Sequence, residues 1–281
     1  MQSVVITGVS TGIGWSSAKV LIDKGFRVFG SVRKAADAER LVREFDANFV
    51  PLTFDVTDEA SVLAAAQKVR VALGGERLLG LVNNAGIAVV GPALDLPSDD
   101  YRRQIETNVI GPVIVTRAFA PMLGTDKQLK GPAGRIVMIS SVSGRHGNPL
   151  TAPYSMSKHA LEAFSESLRR ELMLFGIDVI VIGPGAVKTP IWDKGRDSDI
   201  SVYSGSPYYK AMQTMRDYML KLGKNGLPVE RIGELVHHVL TTPRPKVRYA
   251  VSNEAVQLMI ARMLPARMLD RIIAKRLGLL P

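Results

Sequence analysis

The feature that most constrains this chain is a repeated change of hydrophobic period. Short β-branched runs at Ser3 to Thr7, Phe26 to Val32, Asn48 to Phe54, Leu79 to Val82, Arg135 to Ser140 and Ile177 to Ile182 alternate with stretches of helical period. Those stretches lie near Ile13 to Lys24, Ala36 to Phe45, Glu59 to Leu73, Ser98 to Met122 and Ala152 to Phe175. Strand-helix alternation predicts βαβ units, right-handed crossovers and a parallel sheet. Val4 to Ile6 and Val179 to Ile182 are apolar at every position, as a strand covered by helices on both faces must be. The expected fold class is α/β, a doubly wound parallel sheet with helices on both faces.

Composition removes whole classes of function. Among 281 residues, 46% are hydrophobic and 22% charged, so a sizeable core is available and disorder is excluded. With no internal repeat and no linker, residues 1–281 read as a single domain. The absence of cysteine rules out disulfides, thiol catalysis and thiolate-held metal, and fits a reducing compartment. His146, His159, His237 and His238 are too dispersed to hold a metal, and no metal site is expected. A net charge of +10 would suit nucleic acid, anionic lipid or a phosphorylated small molecule. The excess is spread along the chain without a reader motif, which counts against nucleic acid. The chain enters its first apolar run without a basic n-region or cleavage site, and Leu78 to Leu94 carries Asn83, Asn84, Pro92 and three glycines. We therefore expect a soluble, cytoplasmic protein.

Past Gly183 the pattern loosens. Residues 191–226 read as a lid over a site, with Trp192, Tyr203, Tyr208, Tyr209, Met212, Met215 and Met219 suited to an apolar pocket or to plain packing. A helix at Val229 to Leu240 and a strand at Arg248 to Val251 follow. Residues 254–281 form an amphipathic extension, with Leu258, Met259, Met263, Leu264, Met268, Leu269, Ile272 and Ile273 among Arg262, Arg267, Arg271, Lys275 and Arg276. Pro265 should divide it. Packing on the core or on a second subunit is favoured for this segment over peripheral contact with an anionic membrane.

Three groups of residues carry chemistry. The first strand runs through Thr7-Gly8-Val9-Ser10-Thr11-Gly12-Ile13-Gly14 into a helix. Glycines there let the backbone turn and let a pyrophosphate approach the helix N-terminus, although the spacing differs from the general dinucleotide fingerprint and a plain Gly-rich turn competes. Tyr154 and Lys158 lie four apart on one helix face, with Pro153 in the first turn and Thr151 as the cap. An ammonium and a positive helix end beside the phenol should lower its pKa from about 10. Ser140 and Ser141, Asn108, and Asn83-Asn84-Ala85-Gly86 should gather with them at the carboxyl ends of the strands, where open sheets bind ligands.

Thr7-Gly8-x-x-x-Gly12-Ile13-Gly14, Asp55-Val56, Asn83 to Gly86, Asn108, Ser141, Tyr154-x-x-x-Lys158 and Pro184-Gly185-x-x-x-Thr189 together resemble the short-chain dehydrogenase/reductase family. Thirteen residues separate Ser141 from Tyr154, the interval the resemblance implies. It covers about Val4 to Thr189 and implies a Rossmann-type fold. It makes Tyr154 the acid-base group at the substrate oxygen, Ser141 the hydrogen-bond partner of that oxygen, Lys158 the neighbour that lowers the Tyr154 pKa and holds the nicotinamide ribose, and Asn108 the anchor of a relay water. By the same resemblance Gly8, Ser10, Thr11, Gly12, Ile13 and Gly14 take the pyrophosphate side, Asp55 and Val56 the adenine, Asn84, Ala85 and Gly86 the adenosine side, and Pro184, Gly185, Val187 and Thr189 the nicotinamide end. It also implies a homodimer or homotetramer built on Ser98 to Met122 and Ala152 to Phe175.

After the second strand the chain reads Gly30-Ser31-Val32-Arg33-Lys34, with no acidic side chain to bind a ribose 2'-hydroxyl. Arg33 is placed to pair with a 2'-phosphate, so NADP(H) is expected over NAD(H). Thr11, where many NADP(H)-using relatives carry a basic residue, keeps NAD(H) open. Gly134 to Arg145 and Glu162 to Leu172 resemble the retinol and hydroxysteroid dehydrogenase branch, implying a lipophilic alcohol and its carbonyl partner. A 3-oxoacyl-type reductase and a non-catalytic NADP(H)-binding regulator are the rival expectations.

Overall fold

The computed structural model describes residues 1–45, 47–192 and 199–280, without the side chains of 255, 256, 258 and 262. Part of the expected lid, 193–198, and the Leu258 and Arg262 side chains of the tail thus lie outside the described residues.

Strands β1 (Ser3–Ile6), β2 (Arg27–Val32), β3 (Phe49–Thr53), β4 (Gly80–Asn83), β5 (Arg135–Ile139), β6 (Asp178–Pro184) and β7 (Arg248–Val251) form one parallel sheet in the order β3-β2-β1-β4-β5-β6-β7. The order reverses between β1 and β4, which opens a crevice at their carboxyl ends. Helices α1 (Gly12–Asp23), α2 (Ala35–Glu44) and α3 (Glu59–Leu73) follow the first three strands. The fold is the α/β, Rossmann-type architecture expected from the alternating periods.

Side-chain alternation explains the all-apolar strands. Within β1, Val5 enters one core with Phe29, Leu81, Phe119 and Leu161, while Val4 and Ile6 enter another with Leu21, Val82, Val137 and Val236. Successive strand residues point to opposite faces, and each face here has its own helical cover, so neither set can be polar.

The stretch expected as one helix from Ser98 to Met122 is corrected by the structure. It is α4 (Ser98–Ile105), a π-helical turn at Glu106–Ile110, α5 (Gly111–Ala120) and a second π turn at Pro121–Thr125, where Gly124 is bent to a φ of 143°. Then comes α6 (Ala152–Glu171), closing through a 3-10 turn at Leu172–Phe175. Helices α7 (Tyr209–Lys224), α8 (Val229–Thr241), α9 (Ala255–Met263) and α10 (Ala266–Leu277) complete the chain. Pro265 separates α9 from α10 as its missing N-H requires.

The lid and tail make a third cluster. Leu277 of α10 is buried with Met212 and Met215 of α7, Ile200 and Leu150, with Tyr203, Tyr208, Tyr209, Tyr218, Met219 and Ile273 around them. The tail thus packs through its inner face on its own lid, while Met259, Met263, Met268 and Ile272 stay exposed. Among the described residues no helix is long and apolar enough to cross a membrane.

Candidate active site

The glycine-rich turn after β1 is built for close backbone approach. Gly8 has a φ of 72°, and a Cβ there would stand 2.9 Å from Ala85 Cα. At Gly14 a Cβ would be 2.2 Å from the Gly8 carbonyl and 2.5 Å from Asn84 Nδ2. Asn84 holds the turn from β4, its Nδ2 donating to the carbonyls of Thr7 (2.9 Å) and Gly8 (3.0 Å). Thr7 Oγ1 answers by accepting from the backbone of Asn84 and Ala85. Gly8 N donates to Ser31 Oγ at 3.0 Å, tying in β2.

Helix α1 begins with no side-chain cap at Thr11 and no acidic residue in its first turn. Its leading N-H groups and positive dipole end are therefore left for an external anion. Together with the space that only glycine leaves, this fits the pyrophosphate of a dinucleotide. Thr189, after β6, closes over this turn, with its Cγ2 3.2 Å from where a Gly12 Cβ would be. Gly185 is held to β7 through a 2.8 Å hydrogen bond to Val251, and buried Val187 pairs across to Leu227. Gly12, Ile13 and Gly14 open α1, and Pro184 ends β6.

Arg33 sits at the end of β2, exposed, with Nη1 3.9 Å from Asp55 Oδ2. Asp55 Oδ1 accepts from the N-H and hydroxyl of Thr57. The Val56 side chain is buried in the core against Gly111. Arg40 of α2, which the sequence reading passed over, donates to the Ser10 carbonyl at 2.6 Å and to Glu44 at 2.8 Å, bracing the turn from outside.

Across the crevice, Ser141 caps the 3-10 turn that follows β5, its Oγ accepting from Ser143 N at 3.1 Å. It is also hydrogen-bonded to the Tyr154 hydroxyl. Lys158 is buried and donates from Nζ to the Ile139 carbonyl at 2.9 Å, with Nζ 5.8 Å from the Tyr154 ring centre. Burial lowers the Lys158 pKa to about 8, against which the Glu162 carboxylate works.

Two expectations need correction here. Burial raises the Tyr154 pKa above that of an ordinary phenol and the Ser141 hydrogen bond only partly opposes it, opposite to the lowering expected from the neighbouring ammonium. Lys158 points its charge at a backbone carbonyl, and desolvation of the phenol dominates. Thr151 does not cap α6 with its side chain; its hydroxyl donates to Asn148 O at 3.0 Å.

Asn108 lies in the π turn, and its amide is engaged by protein groups. Oδ1 accepts from Ile87 N (2.9 Å), while Nδ2 donates to Ile87 O (3.0 Å) and to Ser157 Oγ (3.1 Å). Ser157 in turn donates to the Tyr154 carbonyl at 2.7 Å, and Gln104 joins from α4 through Ile87 and Val89. The π bulge adds the residue that turns Asn108 toward the start of α6. Gly86 follows in the same segment, its Cβ position 3.2 Å from Asn108 Oδ1. Gln104 and Ser157 were missed by sequence reading because uncharged polar residues in helices give no signal until a partner is known.

The candidate cofactor and catalytic residues named from sequence thus lie at or after the carboxyl ends of β1 to β6 or on α1, the first π turn and α6. A family model described as short chain dehydrogenase matches residues 2–199. The chain belongs to this family. It is an oxidoreductase acting on an alcohol or carbonyl with NAD(P), and it resembles the retinol dehydrogenase branch. It is 37% identical over 278 residues to an NADPH-dependent 3-dehydrocapnine reductase of Ornithobacterium rhinotracheale, covering 99% of this chain and 98% of that protein. It is 33% identical to human retinol dehydrogenase 5, covering 96% and 87%. A short-chain dehydrogenase structure from Streptomyces avermitilis superposes with a TM-score of 0.77 at 25% identity, covering 98% of this chain and 94% of that one. Among the described residues no cluster of side chains could hold a metal ion.

Proposed function

We propose that this enzyme uses NADP(H) to interconvert a lipophilic alcohol and its carbonyl, with Tyr154 as the acid-base group. The observation that carries the reading is the half-buried Tyr154 in the first turn of α6, hydrogen-bonded to Ser141 and with the Lys158 ammonium 5.8 Å from its ring centre. A phenol is protonated at neutral pH, so Tyr154 can give a proton to a carbonyl oxygen. Bound NADPH would supply the hydride to the carbonyl carbon.

The protein's own groups do the rest. Ser141 orients the carbonyl oxygen beside Tyr154 and shares its developing negative charge. Lys158, cationic below about pH 8, stabilises the phenolate that remains after the proton leaves. Asn108 holds the start of α6 in place through Ser157, and by resemblance it anchors the relay through which Tyr154 is reprotonated. Gly8 to Gly14 and the open end of α1 hold the pyrophosphate, and Thr189 closes over it.

Cofactor choice rests on Arg33, the exposed cation at the end of β2, and agrees with the NADPH in the name of the Ornithobacterium relative. Substrate class rests on the aromatic and Met-rich lid and on the retinol in the name of the human relative. The test titrates the protein with NADPH and NADH, then measures turnover of retinoid, steroid, acyl and small aryl carbonyls for wild type and Tyr154→Phe. We expect Tyr154→Phe to bind NADPH normally while turnover falls by about 10²–10⁴-fold. Retained turnover in the variant would refute the role of Tyr154.

A further inference from the structure

We propose that Glu162 and Arg248 form a buried clamp that seats the Ser141 loop against α6 one turn from Lys158, making both of them positioning residues for the reaction. The proposal rests on the reading of Lys158 and Ser141 given above. Glu162 lies one helical turn beyond Lys158 on α6, on the same face. Arg248 enters from β7, the last strand, in register with Val181 of β6. Its Nε donates to Glu162 Oε2 at 2.9 Å and its Nη2 to Oε1 at 2.9 Å, a two-pronged pair with each side chain only 12% exposed.

The surroundings are shaped around this pair. A Cβ at Gly183 would stand 2.5 Å from Arg248 Nη2, and one at Gly144 would stand 2.9 Å from Glu162 Cγ. Both glycines flank the catalytic loop, Gly144 in the turn that Ser141 caps and Gly183 on the adjacent strand. Arg248 Nη2 also reaches the Ser141 carbonyl at 3.5 Å. The clamp thus joins α6, β7 and the loop carrying Ser141.

A buried ion pair is a weak source of stability, since desolvation offsets its attraction and apolar side chains would fill the same space. Its charge needs another use, and Lys158 supplies one. Lys158 is buried with the Ile139 carbonyl as its one hydrogen-bond partner among the described residues, and Glu162 is the carboxylate that favours its ammonium form. The groups around this cluster are Tyr154 and Glu162 from α6 itself, the Ile139 carbonyl from β5, Arg145 from the segment after β5 at 3.5 Å from Glu162, and Arg248 from β7. Arg248 fixes where the carboxylate sits and tempers its field at Lys158.

The two partners therefore act on Lys158 with opposite signs. In Glu162→Gln the ammonium loses its carboxylate and faces an uncompensated guanidinium, so its pKa falls. In Arg248→Gln the carboxylate is kept ionised by Lys158 and Arg145 and acts on Lys158 undiluted, so the pKa rises. The experiment follows the 13Cε shift of Lys158 against pH in protein labelled at lysine, with the signal assigned by its loss in Lys158→Arg. We expect a wild-type midpoint near 8, a fall of about one unit in Glu162→Gln and a rise in Arg248→Gln. The basic limb of kcat against pH should move with each midpoint, and Arg248→Lys should restore the wild-type profile.

If a single variant fails to fold, the double variant Glu162→Gln/Arg248→Met removes both charges together and should still lower the Lys158 midpoint. Midpoints that stay put, or that move the same way in both single variants, would overturn the clamp. The titration needs no turnover, so a failure of the catalytic reading shows separately, as activity retained by Tyr154→Phe.

Discussion

At the scale of single residues, the crevice contrasts a position set by space with one set by charge. Gly14 is set by space, because any Cβ there would collide with the Gly8 carbonyl at 2.2 Å and with Asn84. Gly14→Ala should therefore abolish binding of NADPH and NADH alike, read by fluorescence titration. Arg33 is set by charge. It is exposed and, among the described residues, pairs only with Asp55, at 3.9 Å, so little holds it back from a phosphate. Arg33→Ala should weaken NADPH by about 10–100-fold, the loss of one charge-assisted bidentate contact, while NADH changes little. Equal losses for both cofactors would sink the phosphate argument. The glycines, Tyr154, Lys158 and Ser141 were legible in the sequence because each belongs to a short spaced motif. Glu162 and Arg248 were not, because 86 residues separate them and only the sheet brings β7 beside α6.

At the scale of elements, the run from α4 through α5 shows where periodicity misleads. Apolar spacing reads Ser98 to Met122 as one helix, and a π turn changes that spacing by a single residue, too little to break the pattern. Yet that turn directs Asn108 at both Ile87 and Ser157, and so couples β4, α4 and α6. Asn108→Ala would leave the half-buried Ile87 N-H without its partner. We expect a loss of about 1–3 kcal/mol in urea unfolding with an unchanged m-value, and a fall in kcat larger than any change in cofactor affinity. A stability loss without a change in kcat would show that this coupling does not reach Tyr154.

At the scale of the whole molecule, the lid is locked by the tail. Leu277 of α10 is 5% exposed against α7, and the Arg276 guanidinium lies 4.5 Å over the Tyr218 ring. Leu277→Ala should cost about 2–5 kcal/mol in this third cluster and leave the sheet intact. Hydrogen exchange should then show lost protection in α7 with β1, β4 and β5 unchanged; uniform loss everywhere would mean that lid and sheet unfold as one unit. The sequence by itself determined the parallel sheet, the family and the candidate site residues, because each is written in local period or short spacing, and those depend on neighbours along the chain. Only the tertiary structure decided that burial raises the Tyr154 pKa, that the tail packs on the lid, and that β7 carries a guanidinium to α6. Desolvation and ion pairing depend on what lies nearby in space, and Arg248 meets Glu162 only after the last strand has joined the sheet.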